Sequence, residues 1–263
     1  MSEQALDEAW AALEEGDAER ALELAEGVRE ASPSLWVLRA TARLELGDAA
    51  GALAACDEAA AAGGGDDADV LWARAEVALA LWQVDAAGEH LERVLELERL
   101  PQPLERLALV RDLQERFEEA DALHAEAFEL LPDEHPLPAR LSDEEFDAVV
   151  EQACASLPPP FRAALEQLPI VIEPMPPVDL VVEGDPLEVP PDLLGLFVGA
   201  NQLETSDEDP ESALARIYLF QRNIERTSPD LDETREQVRV TLFHELGHYL
   251  GFDEHGVEGM GLG

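Results

Sequence analysis

Four times in its first half the chain returns to one pattern: a small or apolar residue, an acid, then Ala and Leu at helical spacing. The segments begin at Gly16 (GDAERALELAEGVREASP), Gly47 (GDAAGALAACDEAAAAG), Val84 (VDAAGEHLERVLELE) and Phe117 (FEEADALHAEAFELLP), at offsets of 31, 37 and 33 residues. A period of that size implies supersecondary units that bury their apolar faces by stacking on one another. Ahead of each segment lies a first helix with bulky apolar residues, such as Trp36, Leu38 and Leu44, or Trp72, Val77 and Leu81. Ala21, Ala52 and Ala122 are expected where the two helices of a hairpin approach closely. Pro33 and Pro132 are expected to end second helices, and Gly63, Gly64 and Gly65 to break the chain between hairpins. Trp10, Trp36, Trp72 and Trp82 read as packing residues at unit interfaces, and His90, His124 and His135 as isolated histidines.

The offsets bracket 34 residues, so this half resembles a tetratricopeptide-like helical solenoid over roughly residues 4–135. The resemblance implies a concave surface that presents itself to a peptide or a partner protein.

Charge excludes whole classes of partner. There are 59 acids against 17 bases, all of them Arg, for a net charge of −42. Residues 1–140 carry 33 acids and 11 Arg, so both halves are acidic. A field of that sign repels phosphate backbones and anionic lipid headgroups, so neither nucleic acid nor a membrane surface is an expected partner. No apolar run approaches the ~20 residues of a membrane-spanning helix. The opening MSEQALDEAW carries no basic region followed by an apolar one, and the two cysteines, Cys56 and Cys154, lie far apart. A cytoplasmic location with reduced thiols is the expectation.

The pattern changes near residue 136. Ser142 followed by Glu145 is a capping box that opens a helix over 142–156, with Phe146, Val149, Val150 and Ala153 on one face. Pro158, Pro159 and Pro160 break it, and a short helix over 161–167 follows. Three short apolar runs then read as strands: 170–172 (IVI), 193–198 (LLGLFV) and 215–220 (ARIYLF). Loops rich in Pro and acids separate them. A last helix runs from Asp232 or Glu233 to about Leu250. The fold class is α+β: a helical repeat domain over 1–138, then a small domain over 139–263.

That last helix carries the chemistry, in HELGHYLGFDE at 244–254. His244 and His248 are one turn apart on the same face, so two imidazoles can bind one metal ion. Glu245 beside them can act as general base on the water that the metal activates. Gly251 stands where a helix ends in a left-handed turn, and acids follow it. A HExxHxxGxxH-type arrangement puts the third ligand at Glu254, and the neighbours Asp253 and His255 are alternatives.

With those residues in place, the second half resembles the minimal zincin-like metallopeptidases, small bacterial proteins with HExxHxxGxx followed by an acid. The likeness covers 142–263: EEFDAVVEQACASLP, PIVIE, LLGLFVGAN, ARIYLFQRNIE as a strand, and VRVTLFHELGHYLGFDE. It implies a minimal zincin fold, with a three- to four-stranded sheet and two main helices. It also implies Zn²⁺ held by His244, His248 and Glu254, with Glu245 as the base. Glu at 254, where Asp is more usual, and the added acidic solenoid are departures. The activity implied is hydrolysis of peptide bonds in a peptide or protein substrate. A peptide strand could add to either LLGLFVG or ARIYLF. The competing reading is a non-catalytic interaction scaffold with a metal-stabilised or inactive zincin module.

Overall fold

The structure is a computed structural model, and it describes residues 2–28, 31–166, 168–182, 186–200 and 215–252. The chain divides into two compact units. One is Met1–His135 with Val181–Pro191, and the other is Pro136–Leu180 with Asp192–Gly263.

Among the described residues the α-helices of the first unit pair into four hairpins: α1 (Ser2–Glu14) with α2 (Ala18–Glu26), α3 (Pro33–Glu45) with α4 (Ala49–Ala59), α5 (Ala68–Ala80) with α6 (Val84–Leu97), and α7 (Pro101–Leu113) with α8 (Phe117–Leu130). One turn recurs in all four. A residue with positive φ follows each first helix: Gly16, Gly47, Trp82 and Glu115, at offsets of 31, 35 and 33 residues. Its N–H, and the N–H after it, return to carbonyls of the helix just ended, as in Trp82 to Leu79 and Gln83 to Ala78. That bonding satisfies the carbonyls that a helix end leaves over.

Counting from this turn corrects the expected close-approach positions. The fifth residue after it is Ala21, Ala52, Ala87 and Ala120, and all four are fully buried. Ala122 is exposed. The segments aligned by composition at Val84 and Phe117 start two residues late. In those hairpins the left-handed position is held by Trp and Glu, and glycine no longer marks it. Pro33 also departs from expectation. It opens α3 at the first helical turn, where its missing N–H costs nothing, and Ser32 caps that helix. Within the same unit the Trp82 indole donates to the Val189 carbonyl at 2.8 Å.

In the second unit Ser142 caps α9 (Asp143–Ser156) in a complete capping box. The Ser142 backbone N–H and hydroxyl hold the Glu145 carboxyl below the usual carboxylate range. α10 (Pro159–Leu165) follows, starting two residues earlier than expected. The sheet has the order β1-β3-β2, with β1 at Ile170–Glu173, β2 at Gly195–Val198 and β3 at Arg216–Phe220. β1 runs parallel to β3 and β2 antiparallel to it. Between β1 and β2 lie two short helical turns among the described residues, α11 (Asp179–Val182) and a 3-10 turn at Pro186–Glu188. The strand expected to run on through QRNIE stops at Phe220. The chain then forms α12 (Gln221–Arg226), because Gln, Arg and Glu tolerate a helix better than a strand.

The buried Glu225 of α12 accepts from Arg140, the Leu141 backbone and Gln221, and so fixes the start of this unit to its middle. α13 (Leu231–Tyr249) is capped by Asp230 and packs on α9, β2 and β3. The core between them joins Phe146, Val150 and Ala153 to Ile217, Leu219, Val238, Leu242 and Leu246. Ile217 is fully buried on the central strand. Ile217→Val should therefore lower stability by about 0.5–1.5 kcal/mol, as read from urea unfolding. Among the described residues no helix is long and apolar enough to cross a membrane.

Candidate functional site

α13 ends in a full glycine cap. Gly251 takes φ of +88° and donates to the His248 carbonyl, and Phe252 donates to the Gly247 carbonyl. A left-handed φ is cheap only for glycine, so Gly251, just past the cap residue Leu250, ends the helix at Tyr249.

One turn before the cap, His244 and His248 project from the same face, both half-buried. Their Nε2 atoms stand 3.0 Å apart with the rings edge to face. Two nitrogens at tetrahedral positions around one zinc would be about 3.3 Å apart. The pair is thus presented as two donors to one point. Among the described residues no group of three His, Cys, Asp or Glu converges for a metal ion. Asp253, Glu254 and His255, the expected sources of a third ligand, lie outside the described residues.

Glu245 sits on the side of α13 that faces the sheet and is 7% exposed. Its Oε2 accepts from the Phe197 backbone N–H at 2.7 Å. The pairing of β2 explains why that N–H is available. The Leu194 carbonyl accepts from Phe220, so the even-numbered residues of β2 bond to β3 and Phe197 turns its N–H to the outer edge. A buried carboxylate that accepts from a fixed backbone donor has a fixed orientation.

The strand comes this close because residue 195 has no side chain. A Cβ on Gly195 would lie 2.6 Å from Thr241 Cγ2 and 3.2 Å from Glu245 Cγ. Gly195→Ala should therefore lower stability by about 1–3 kcal/mol through overpacking. Thr241→Ser, which removes the clashing methyl, should recover part of that loss, and unfolding curves of the single and double variants check both expectations. Sequence reasoning named His244, His248 and Glu245 but missed Gly195, Thr241 and the Phe197 amide. The lone glycine within LLGLFV was the available signal, since a glycine inside a strand often marks a close approach. Tyr249 is buried against Phe197, with ring centroids 5.7 Å apart, and so belongs to the core.

This geometry accords with what comparison finds. Residues 165–262 match the family model of the zincin-like metallopeptidases. The match spans the sheet, α12, α13 and the segment after Gly251. The matched segment therefore includes His244, Glu245 and His248, and also Asp253, Glu254 and His255. No curated protein matches the chain.

Proposed function

We propose that this chain is a zinc-dependent peptidase. His244 and His248 would hold the ion with Glu254, and Asp253 and His255 are the alternatives for that third place. The observation that carries the reading is the convergence of the two Nε2 atoms beside a buried, backbone-oriented glutamate. When bound there, zinc supplies a Lewis acid that makes water nucleophilic near neutral pH and accommodates charge on a carbonyl oxygen. Glu245 takes the proton from the attacking water and returns it to the leaving amine. Its bond to the Phe197 N–H keeps the carboxylate aimed at that task.

The sheet order bears on where a peptide lies. β3 is central, so ARIYLF has no open edge, whereas among the described residues β2 pairs with a strand on one side only, and its other edge passes Glu245. A substrate strand laid along β2 would bring its carbonyl to the histidine pair. In this reading residues 139–263 provide the chemistry. The tetratricopeptide-like hairpins of 1–138 recruit the substrate or a partner protein. Cys56 is buried, and burial pushes its thiol up to about 11, which fits an unreactive thiol.

The test is cleavage of a mixed-sequence peptide library by the full chain with and without zinc. Zinc-dependent cleavage that 1,10-phenanthroline abolishes is expected. Absence of cleavage in a preparation shown to carry zinc would favour the scaffold reading.

A further inference from the structure

A cleft of about 210 Å³ opens in the first unit where the start of α5, the end of α6 and the start of α7 meet. Asp69, Trp72, Val94, Glu98, Leu100 and Pro103 line it. We infer that this cleft binds an arginine side chain of a basic peptide segment in a partner protein. The inference deepens the reading of the hairpins as a recruiting surface and rests on that reading alone, independently of the zinc chemistry.

The chain supplies its own precedent. In the preceding hairpin Trp36, near the start of α3, is covered by the guanidinium of Arg39, 4.7 Å from the ring centroid. Trp72 stands near the start of α5, the next first helix. Counted from the turn, Arg39 corresponds to Arg74, which pairs with Asp57, and the residue three beyond Trp72 is the fully buried Ala75, so no arginine stands one turn along from this indole. Among the described residues no guanidinium lies over the Trp72 ring. Trp72 lines the cleft, and an indole favours a cation at its face.

The rest of the lining suits the same occupant. Asp69 and Glu98 take part in no ion pair among the described residues. The nearby arginines are committed elsewhere: Arg93 to Glu96 and Asp66, Arg99 to Glu126, and Arg106 to Glu76. Glu98 caps α6, whose carboxyl end carries partial negative charge and has no basic residue in its last turn. Leu100, 48% exposed, and the ring of Pro103 offer apolar contact to the methylenes of a long side chain. Arginine fits better than lysine, because its planar head stacks on an indole and forks between two carboxylates.

The test measures binding of fluorescein-labelled Gly-Ser peptides with one central Arg, Lys or Gln to the full chain, carried out as Glu245→Gln so that nothing is cleaved. The expected order is Arg, then Lys, then Gln. Asp69→Asn with Glu98→Gln should weaken the Arg peptide by about 3–30-fold, and Trp72→Leu by a similar factor. The charge pair guards against a Trp72 variant that fails to fold, since both acids are exposed. It also separates the cleft from the general field, because it removes two of 59 acids. Equal binding of the Arg and Gln peptides would overturn the inference. So would an unchanged affinity in the double variant, or concentration-dependent self-association that Trp72→Leu abolishes. A chain that binds the Arg peptide at this cleft yet never cleaves a peptide would sink the peptidase reading and leave this one standing.

Discussion

Glu245→Gln is expected to lower peptide hydrolysis by about 10²–10⁴-fold while zinc stays bound. The amide matches the carboxylate in shape and can still accept from the Phe197 N–H, which reaches Oε2 at 2.7 Å. It cannot take a proton from water, so the loss falls on kcat and not on substrate affinity. Zinc content and steady-state kinetics on one preparation check this. Loss of zinc in Glu245→Gln would make Glu245 a ligand instead of the base.

His248→Ala should act on the step before. It removes one of two nitrogens that converge at 3.0 Å, and the remaining ligands cannot close a tetrahedral site. Zinc affinity should fall by more than the about 10–100-fold that loss of an orienting partner costs. The change should leave the fold in place. His248 is half-buried on the outer face of α13, while Val238, Leu242 and Leu246 carry the packing. Competition with a zinc-responsive dye measures the affinity, and circular dichroism confirms that α13 persists.

Local signals in the sequence agree with the structure. The Ser142–Glu145 box, the three apolar runs and the glycine after the second histidine each depend on neighbours within a turn or two, and each lies where expected. What depends on contacts distant in sequence was not legible. Trp82 and Glu115 occupy left-handed turns that Gly16 and Gly47 fill in the earlier hairpins, so alignment by composition slipped by two residues and picked Ala122 over Ala120. The Phe197 amide has no sequence signature, because its role follows from which edge of β2 faces α13. α12 was hidden by the apolar run before it. Its buried polar residues are satisfied by distant partners: Glu225 gathers Arg140, the Leu141 backbone and Gln221, and Asn223 donates to the Leu193 carbonyl.

The histidine pair of α13 is proposed to hold a zinc ion. The most direct measurement of this is the zinc bound per chain, after equilibration with zinc and gel filtration, in the wild type and in the His244→Ala/His248→Ala double variant. The comparison matters because 59 acids will attract zinc loosely wherever they cluster. One tightly held zinc per wild-type chain and none in the double variant is the predicted result. Equal zinc in both proteins, or none in the wild type, would contradict it.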